Sequence, residues 1–455
     1  MPNRKVDVAI IGAGTAGITA FNTIRGAGKN AVLIDRGPLG TTCARVGCMP
    51  SKAALHAGMR WMNVRQLPGS ATFFEDVPQK LWDHARQTRD MLASGAAERI
   101  RKAAGEQLIM GEASFGAPGV LRVGTERIEA DAVIVATGSA PIVPRIFDSV
   151  SSSILTTDTL FELETLPQRL GIIGLGAIGL ELGLALSRLD VQVVAADQLS
   201  TVGGIEDPVV HDRTMAAFMG ELPMWLGAPV EASPADNEVL MHTDEHTSLV
   251  EHLLVATGRS PNTAALNLAA AGIPLDDSGR PKIDPVTMQA ADVPVFFAGD
   301  AQPARPLMHE SVDEGRMAAQ AALSLLRSEQ HDNAPRRVPV SILFTDPDVC
   351  MVGLSYDTAM EQGAIVGVAE GTGNGRSKIL GAQENVLRIY VAPETGLLVG
   401  ASMFLTKGEH LAHLIAWAIQ AKQTVHDMLA MPFYHPSIEE MFQSALKSAA
   451  QQLQS

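Results

Sequence analysis

The chain has 455 residues, 46% of them hydrophobic and 19% charged, with 35 Lys and Arg against 50 Asp and Glu for a formal net charge of −15. This is the composition of a folded globular protein too long for one core, so about three or four domains are expected. The acid excess argues against a nucleic-acid surface or an anionic membrane face, scarce Tyr and Trp argue against stacking platforms for single strands, and no apolar run reaches the roughly 18–20 residues that span a bilayer.

Met1 to Val6 is short and polar and carries no leader pattern, which makes the cytoplasm the expected location. A strand is expected over Val6-Asp7-Val8-Ala9-Ile10-Ile11, followed at once by Gly12-Ala13-Gly14-Thr15-Ala16-Gly17 and a helix. Gly12 permits a tight turn, Gly14 lets backbone approach a pyrophosphate, and Gly17 lets helix pack on strand. A second strand, Ala31 to Ile34, ends at Asp35, where an acid takes a ribose hydroxyl.

Next comes Gly40-Thr41-Thr42-Cys43-Ala44-Arg45-Val46-Gly47-Cys48-Met49-Pro50-Ser51-Lys52, which holds two of the three cysteines. So few cysteines fit a reducing compartment, where a close pair is more often catalytic than structural. Residues five apart do not share a helix face, so a redox pair here needs a distorted turn, which Gly47 allows. Two buried core thiols are the alternative at this point. Residues 53–105 read as helical with a break near Leu67-Pro68-Gly69-Ser70. Short strands surround Gly111 to Val123, and the strand from Asp131 closes through Thr137 and Gly138 on a small-residue turn at Ser139.

The pattern then repeats. Leu170 to Ile173 is a strand, Gly174-Leu175-Gly176-Ala177-Ile178-Gly179 is a second complete fingerprint, and Asp197 follows the strand Val191 to Val194. Leu253 to Arg259, with Gly258 and Arg259 at its end, echoes the earlier Ala-Thr-Gly turn. Tandem units imply two nucleotides face to face; a duplicated fold holding one nucleotide is the alternative. An acid at Asp197, with no Arg or Lys from Val191 to Glu206, favours NAD over NADP unless it is only an exposed loop acid.

Val295 to Phe297 runs into Ala298-Gly299-Asp300, where Asp300 suits the sugar chain of a flavin. The helix starting at Met308 and His309 offers its N-terminal partial charge to a flavin carbonyl. From about Arg336 alternating strands precede helices, an α+β pattern. Cys350 reads as core. Near the end, His435 and Glu440 have the spacing of a base and its orienting carboxylate, although a surface His beside an acid is the simpler reading of that segment alone.

In this order, the cysteine stretch, both fingerprints, Ala256 to Asn262, Phe297 to Asp300 and His435 to Glu440 resemble the flavin-dependent pyridine nucleotide–disulfide oxidoreductases. The resemblance covers essentially the whole chain and is strongest to their dihydrolipoamide dehydrogenase branch. It departs at Thr41, where the family pattern has a second Gly, and at Arg45, where that branch usually carries Asn.

The resemblance implies an α/β fold of two tandem Rossmann-like dinucleotide-binding domains plus a C-terminal α+β dimerisation domain. It places FAD on residues 1–148, completed by a central segment 265–335, NAD on 149–264, and the interface on 336–455. It implies that Cys48 contacts the flavin and Cys43 exchanges with substrate, that Lys52 pairs with Glu181 beside the flavin, and that His435, oriented by Glu440, serves the disulfide of the other subunit of a homodimer. Flavin contacts then fall at Gly12, Gly14, Gly17, Asp35, Thr42, Lys52, Thr137, Gly138, Gly299, Asp300, Met308 and His309. NAD contacts fall at Gly174, Gly176, Ile178, Gly179, Asp197, Gly258 and Arg259.

No metal, nucleic-acid or membrane partner is expected, and the implied reaction is dihydrolipoamide, free or on a lipoyl-carrying protein, plus NAD⁺ to lipoamide plus NADH. Glutathione and trypanothione reductases carry basic residues for NADP that are missing here. Mercuric and high-molecular-weight thioredoxin reductases add a C-terminal cysteine pair, whereas no cysteine follows Cys350, and soluble transhydrogenases lack the Cys43–Cys48 pair. Thr41 and Arg45 keep open an NADH-dependent reductase of another small disulfide. A non-catalytic scaffold subunit would not need both cysteines and the His–Glu pair.

Overall fold

The computed structural model describes residues 3–67, 76–277, 279–302, 304, 307–330 and 336–454. Residues 68–70 of the expected break and 331–335 of the central segment lie outside them.

The first sheet has β1 (Asn3–Ile11) near its centre, in the order β3 (Leu108–Met110), β2 (Ala31–Asp35), β1, β6 (Glu126–Val135), β5 (Val120–Val123), β4 (Ala113–Ala117). β1 runs parallel to β2 and β6, and Val8 and Ile10 face one core while Ala9 and Ile11 face the other. A parallel sheet buried on both faces accounts for the continuous apolar reading of these strands. α1 (Thr15–Gly26) follows the first glycine turn. After it come α2 (Thr42–Arg45), α3 (Cys48–Arg65) and α4 (Val77–Ala104), which agree with the helical expectation for 53–105. The strand expected from Asp131 stops at Val135, because the chain turns away at the positive φ of Gly138.

The chain leaves this sheet through β7 (Ser139–Pro141), β8 (Ile154–Leu155) and α5 (Thr157–Leu160) to build a second, all-parallel sheet. Its order is β11 (Met224–Leu226), β10 (Gln192–Asp197), β9 (Arg169–Ile173), β15 (His252–Val255), β8, with α6 (Ala177–Arg188) after the second glycine turn and α7 (Pro208–Phe218) after β10. An antiparallel meander, β12 (Glu231–Ala235), β13 (Glu238–His242) and β14 (Thr247–Val250), leads into β15. β16 (Arg259–Pro261) then pairs with β7, tying the two units together. β17 (Val295–Phe297) returns to the first sheet and pairs with Val133 to Val135 of β6, and α8 (Met308–Arg327) packs on α1.

The last unit is a five-stranded antiparallel sheet, β18 (Val340–Leu343), β19 (Asp348–Gly353), β22 (Leu398–Leu405), β21 (Val386–Val391), β20 (Ile365–Glu370), with α9 (Tyr356–Glu361) and α10 (Gly375–Leu380) in its connections. α11 (Gly408–Gln420), α12 (Val425–Leu429) and α13 (Glu440–Leu453) cover one face around Ile389, Leu411, Ile415 and Phe442, and Cys350 is fully buried there. The fold is thus α/β, two Rossmann-like units followed by an α+β unit. Among the described residues no helix is long and apolar enough to cross a membrane.

Candidate active site

Both glycine turns are built by the same steric rule. A Cβ on Gly17 would stand 1.8 Å from the Gly12 carbonyl oxygen, and one on Gly179 would stand 1.9 Å from that of Gly174. Gly12 and Gly174 have φ of +104° and +95°, so side chains are excluded at all four positions. Gly14 and Gly176 have open space instead. The acids that end β2 and β10 are also equivalent. Asp35 accepts the Ala13 N–H at 2.6 Å and the Gly37 N–H at 2.6 Å, and Asp197 accepts those of Leu175 at 2.6 Å and Leu199 at 2.9 Å.

A cavity of about 320 Å³ is lined by Gly12, Gly14, Asp35, Thr42, Thr137 and Gly138, among others. It shares Gly14, Thr42, Val46, Ala136, Gly138 and Arg259 with a second cavity of about 230 Å³ that holds Cys43, Cys48, Lys52, Glu181, Asp300 and Met308. The two form one groove from the glycine turn to the cysteines. The Thr137 hydroxyl is buried in its wall with no hydrogen-bond partner. An orphaned donor, an open Gly14 and a helix N-terminus in one elongated groove fit a dinucleotide.

The cysteine stretch folds as two helices broken between the sulfurs. Cys43 lies in the single turn α2 and Cys48 starts α3, with Gly47 between them at φ −119°, ψ −121°, neither helical nor extended. A Cβ on Gly47 would sit 3.2 Å from the Cys43 Cα, so glycine is what lets the two segments close. Cys48 is exposed and Cys43 half-buried, which removes the reading as core thiols, and both are free.

The Cys43 thiol hydrogen-bonds Cys48. That bond, followed by burial, pushes Cys43 far up, while the same bond, assisted by the Lys52 charge against desolvation, brings Cys48 down to about 6. The direction of both shifts favours the thiolate at Cys48 and the thiol at Cys43 in the reduced pair.

Thr41 caps α2 by accepting the Ala44 N–H at 3.2 Å, from a backbone at φ 60°, ψ 147°. That region is glycine territory and costs a β-branched residue about 1–3 kcal/mol, against about 1 kcal/mol for the cap. The strain persists beside the sulfur pair.

Lys52, on α3, donates to both carboxylate oxygens of Glu181 on α6, at 2.9 and 2.7 Å. Glu181 also accepts the Phe344 N–H at 3.0 Å, and the Lys52 ammonium sits 5.1 Å from the Phe344 ring centroid. All three units thus meet at one ion pair beside the cysteines. The Glu181 side chain is 4% exposed and that of Lys52 33%.

Breaking a buried pair costs about 3–5 kcal/mol; with one partner a third exposed, Lys52→Met is expected to lose about 2–3 kcal/mol in denaturant unfolding. It should also move the Cys48 titration above 6, because the Lys52 charge favours the thiolate. An unchanged titration would separate Lys52 from the redox pair.

Asp300 accepts the Ser139 hydroxyl at 2.8 Å, and Arg259 donates to Ser139 Oγ and its carbonyl, both at 2.8 Å, and to Thr157 at 3.2 Å. Arg259 therefore clamps the junction of the two units as well as lining the groove. The Gly299 N–H is held by the buried Glu314 of α8 at 2.9 Å, which Gln302 and Arg336 also engage; burial pushes the Glu314 carboxyl up. His435 Nδ1 contacts Glu440 at 3.0 and 3.2 Å with its side chain 78% exposed. Glu440 is lowered first by the Ser437 N–H and then by His435.

Gly17, Gly174, Gly176, Gly179, Asp197, Gly258, His309, His435 and Glu440 line neither cavity, whereas Ile178 lines the second. Sequence reasoning missed Phe344, Ser139 and the Glu314–Arg336 support. Buried acids on α8 are visible only as Glu310 and Glu314 within an amphipathic run, and Phe344 carries no local signal. Among the described residues no group of His, Cys, Asp and Glu could hold a metal ion.

Comparison with known proteins gives a consistent family. The model described as pyridine nucleotide-disulphide oxidoreductase matches residues 6–323, and its dimerisation domain matches 339–446. Dihydrolipoyl dehydrogenase of Halobacterium salinarum is 30% identical, covering 97% of this chain and 96% of that one. That of Pseudomonas aeruginosa is 28% identical, covering 97% of each. Among solved structures, the copper(II) complex of the HOCl-induced flavoprotein disulfide reductase RclA from Escherichia coli superposes with a TM-score of 0.85 at 24% identity, covering 98% of this chain and 99% of that one. LpdA from Mycobacterium tuberculosis gives 0.83 at 22%, covering 99% and 100%.

Proposed function

The chain belongs to the pyridine nucleotide-disulphide oxidoreductase family, a group of flavoprotein oxidoreductases that use FAD and NAD(H), and from that premise we propose that it oxidises dihydrolipoamide, free or carrier-bound, with NAD⁺ through Cys43 and Cys48. The observation that carries the reading is Cys43 and Cys48 together in one groove with the Lys52–Glu181 ion pair. The domain limits are proposed as 1–148 with 265–335 for FAD, 149–264 for NAD and 336–455 for the interface. FAD would be held by the first glycine turn, Asp35, Thr42, Lys52, Thr137, Gly138, Gly299, Asp300 and the start of α8 at Met308 and His309. NAD would be held by the second turn with Ile178, Asp197, Gly258 and Arg259. The bound flavin supplies two-electron transfer between the thiolate pair and the nicotinamide.

In the oxidised protein a substrate thiolate attacks the Cys43 sulfur of the Cys43–Cys48 disulfide, and Cys48 leaves as a thiolate stabilised by Lys52. The second substrate thiolate attacks its own sulfur in the mixed disulfide, releases the cyclic disulfide and returns Cys43 as a thiol. Two thiols must lose protons for this, one of which ends on Cys43. Among the described residues no histidine lines the groove, while His435 stands exposed with Nδ1 on Glu440, leaving Nε2 to take a proton. That arrangement supports His435 serving the groove of a second copy, with the active site shared across a homodimer. The cytoplasm is the proposed location.

Asp197 is held at the end of β10, where a 2′-phosphate would meet its charge. kcat/KM for NADH is expected to exceed that for NADPH by about a hundredfold, and equal values would count against this site. A steady-state screen of dihydrolipoamide, lipoyl carrier proteins and small disulfides with NAD(H) tests the substrate. Fast turnover only with another small disulfide would favour the second reading, which the strained Thr41 and the groove-lining Arg45 support.

A further inference from the structure

We propose that Arg45, where the dihydrolipoamide dehydrogenase branch usually carries Asn, is a diphosphate-binding residue of the flavin groove. The inference rests on the cofactor assignment and is independent of the disulfide substrate. Arg45 closes the single turn that carries Cys43 and is half-buried in the wall of the larger cavity, together with Gly12 and Gly14 of the first glycine turn.

Its side chain is positioned rather than loose. A Cβ on Gly40 would come within 3.1 Å of the Arg45 Cδ and 3.2 Å of its Cγ, so the aliphatic stem lies directly over the bare glycine. Only glycine at position 40, at φ +128°, leaves room for the stem.

The charges around it are otherwise matched. Among the described residues three arginines and three acids line this cavity. Arg36 lies 3.6 Å from Glu112, and Arg259 is held by Ser139 and Thr157 with Asp158 at 3.9 Å. Asp35 has both oxygens on backbone N–H groups. Among the described residues the Arg45 guanidinium has no carboxylate partner, and its one side-chain hydrogen bond is a 3.5 Å contact to the Pro38 carbonyl, at the limit of such bonds.

A guanidinium with its donors unspent, in a groove that opens on a helix N-terminus, has a diphosphate as its chemical complement. The planar fork meets two phosphate oxygens at once, which an Asn amide cannot do with a charge. FAD is the cofactor that brings a diphosphate to this groove.

The test is release of flavin from the purified holoenzyme, followed by flavin fluorescence after dilution at low and high NaCl. Arg45→Asn is expected to release FAD about tenfold to a hundredfold faster at low salt, with much less further acceleration by NaCl than the native protein shows. Arg45→Lys should fall between the two and keep the native salt dependence. Thermal unfolding of both variants, with excess FAD added, reports any loss of fold. Native release from Arg45→Asn would overturn the proposal. So would faster release that keeps the native salt dependence, which would mean that the stem acts by packing on Gly40. Neither result bears on whether dihydrolipoamide is the substrate.

Discussion

Cys48→Ser is expected to lower dithiol-dependent NADH formation by about 10³-fold or more while the protein keeps its flavin, since the variant leaves the nucleotide groove intact and removes only the electron-donating sulfur. The native reduced pair holds its thiolate at Cys48 because Cys43 donates to it and Lys52 stands beside it. Long-wavelength thiolate–flavin absorbance of the reduced enzyme should therefore be present at neutral pH and fall as pH drops through about 6. Cys43→Ala removes the largest cause of that depression, so the same absorbance should disappear at higher pH, closer to an ordinary thiol. A Cys48→Ser protein that still forms NADH from dihydrolipoamide would remove the redox pair from the reaction.

His435→Ala is expected to cost about 10²–10⁴-fold in kcat with dihydrolipoamide, the size of a lost general base. The demand for one comes from the substrate, because both of its thiols must lose a proton while Cys43 takes up only one of them. The loss should shrink as pH rises and the substrate dithiol ionises without help. Mixing inactive Cys48→Ser with inactive His435→Ala chains should restore part of the activity once subunits exchange, since one of the two grooves in each mixed dimer then has both its cysteines and a partner histidine. Verified heterodimers with no activity would place His435 outside the shared site.

The parts of this molecule that were legible in its sequence are those set by local sterics. Gly12 with Gly17 and Gly174 with Gly179 are each five residues apart, and their crowding against one carbonyl is a property of the turn itself. The alternation of apolar strands with glycine turns then gives two parallel sheets. Less legible was anything closed by a long return of the chain. β17 rejoins the first sheet more than 150 residues after β6, and Phe344 meets Glu181 across 163 positions. Arg259 reads from sequence as a nucleotide contact, yet its donors span the junction between units, which only the pairing of β7 with β16 creates. Thr41 read as a departure in the cysteine stretch; its left-handed backbone and cap on Ala44 depend on how Gly40 packs beneath Ala93 and Arg45.

The most direct measurement is a count of thiols in unfolded protein before and after anaerobic reduction of the holoenzyme by dihydrolipoamide, with NADH as a second arm. The chain has three cysteines, and Cys350 is buried away from the pair. One reactive thiol in the oxidised protein and three after either reductant is the expected result, with alkylation mapped to Cys43 and Cys48. The same count before and after both reductants would contradict a redox centre at these two residues.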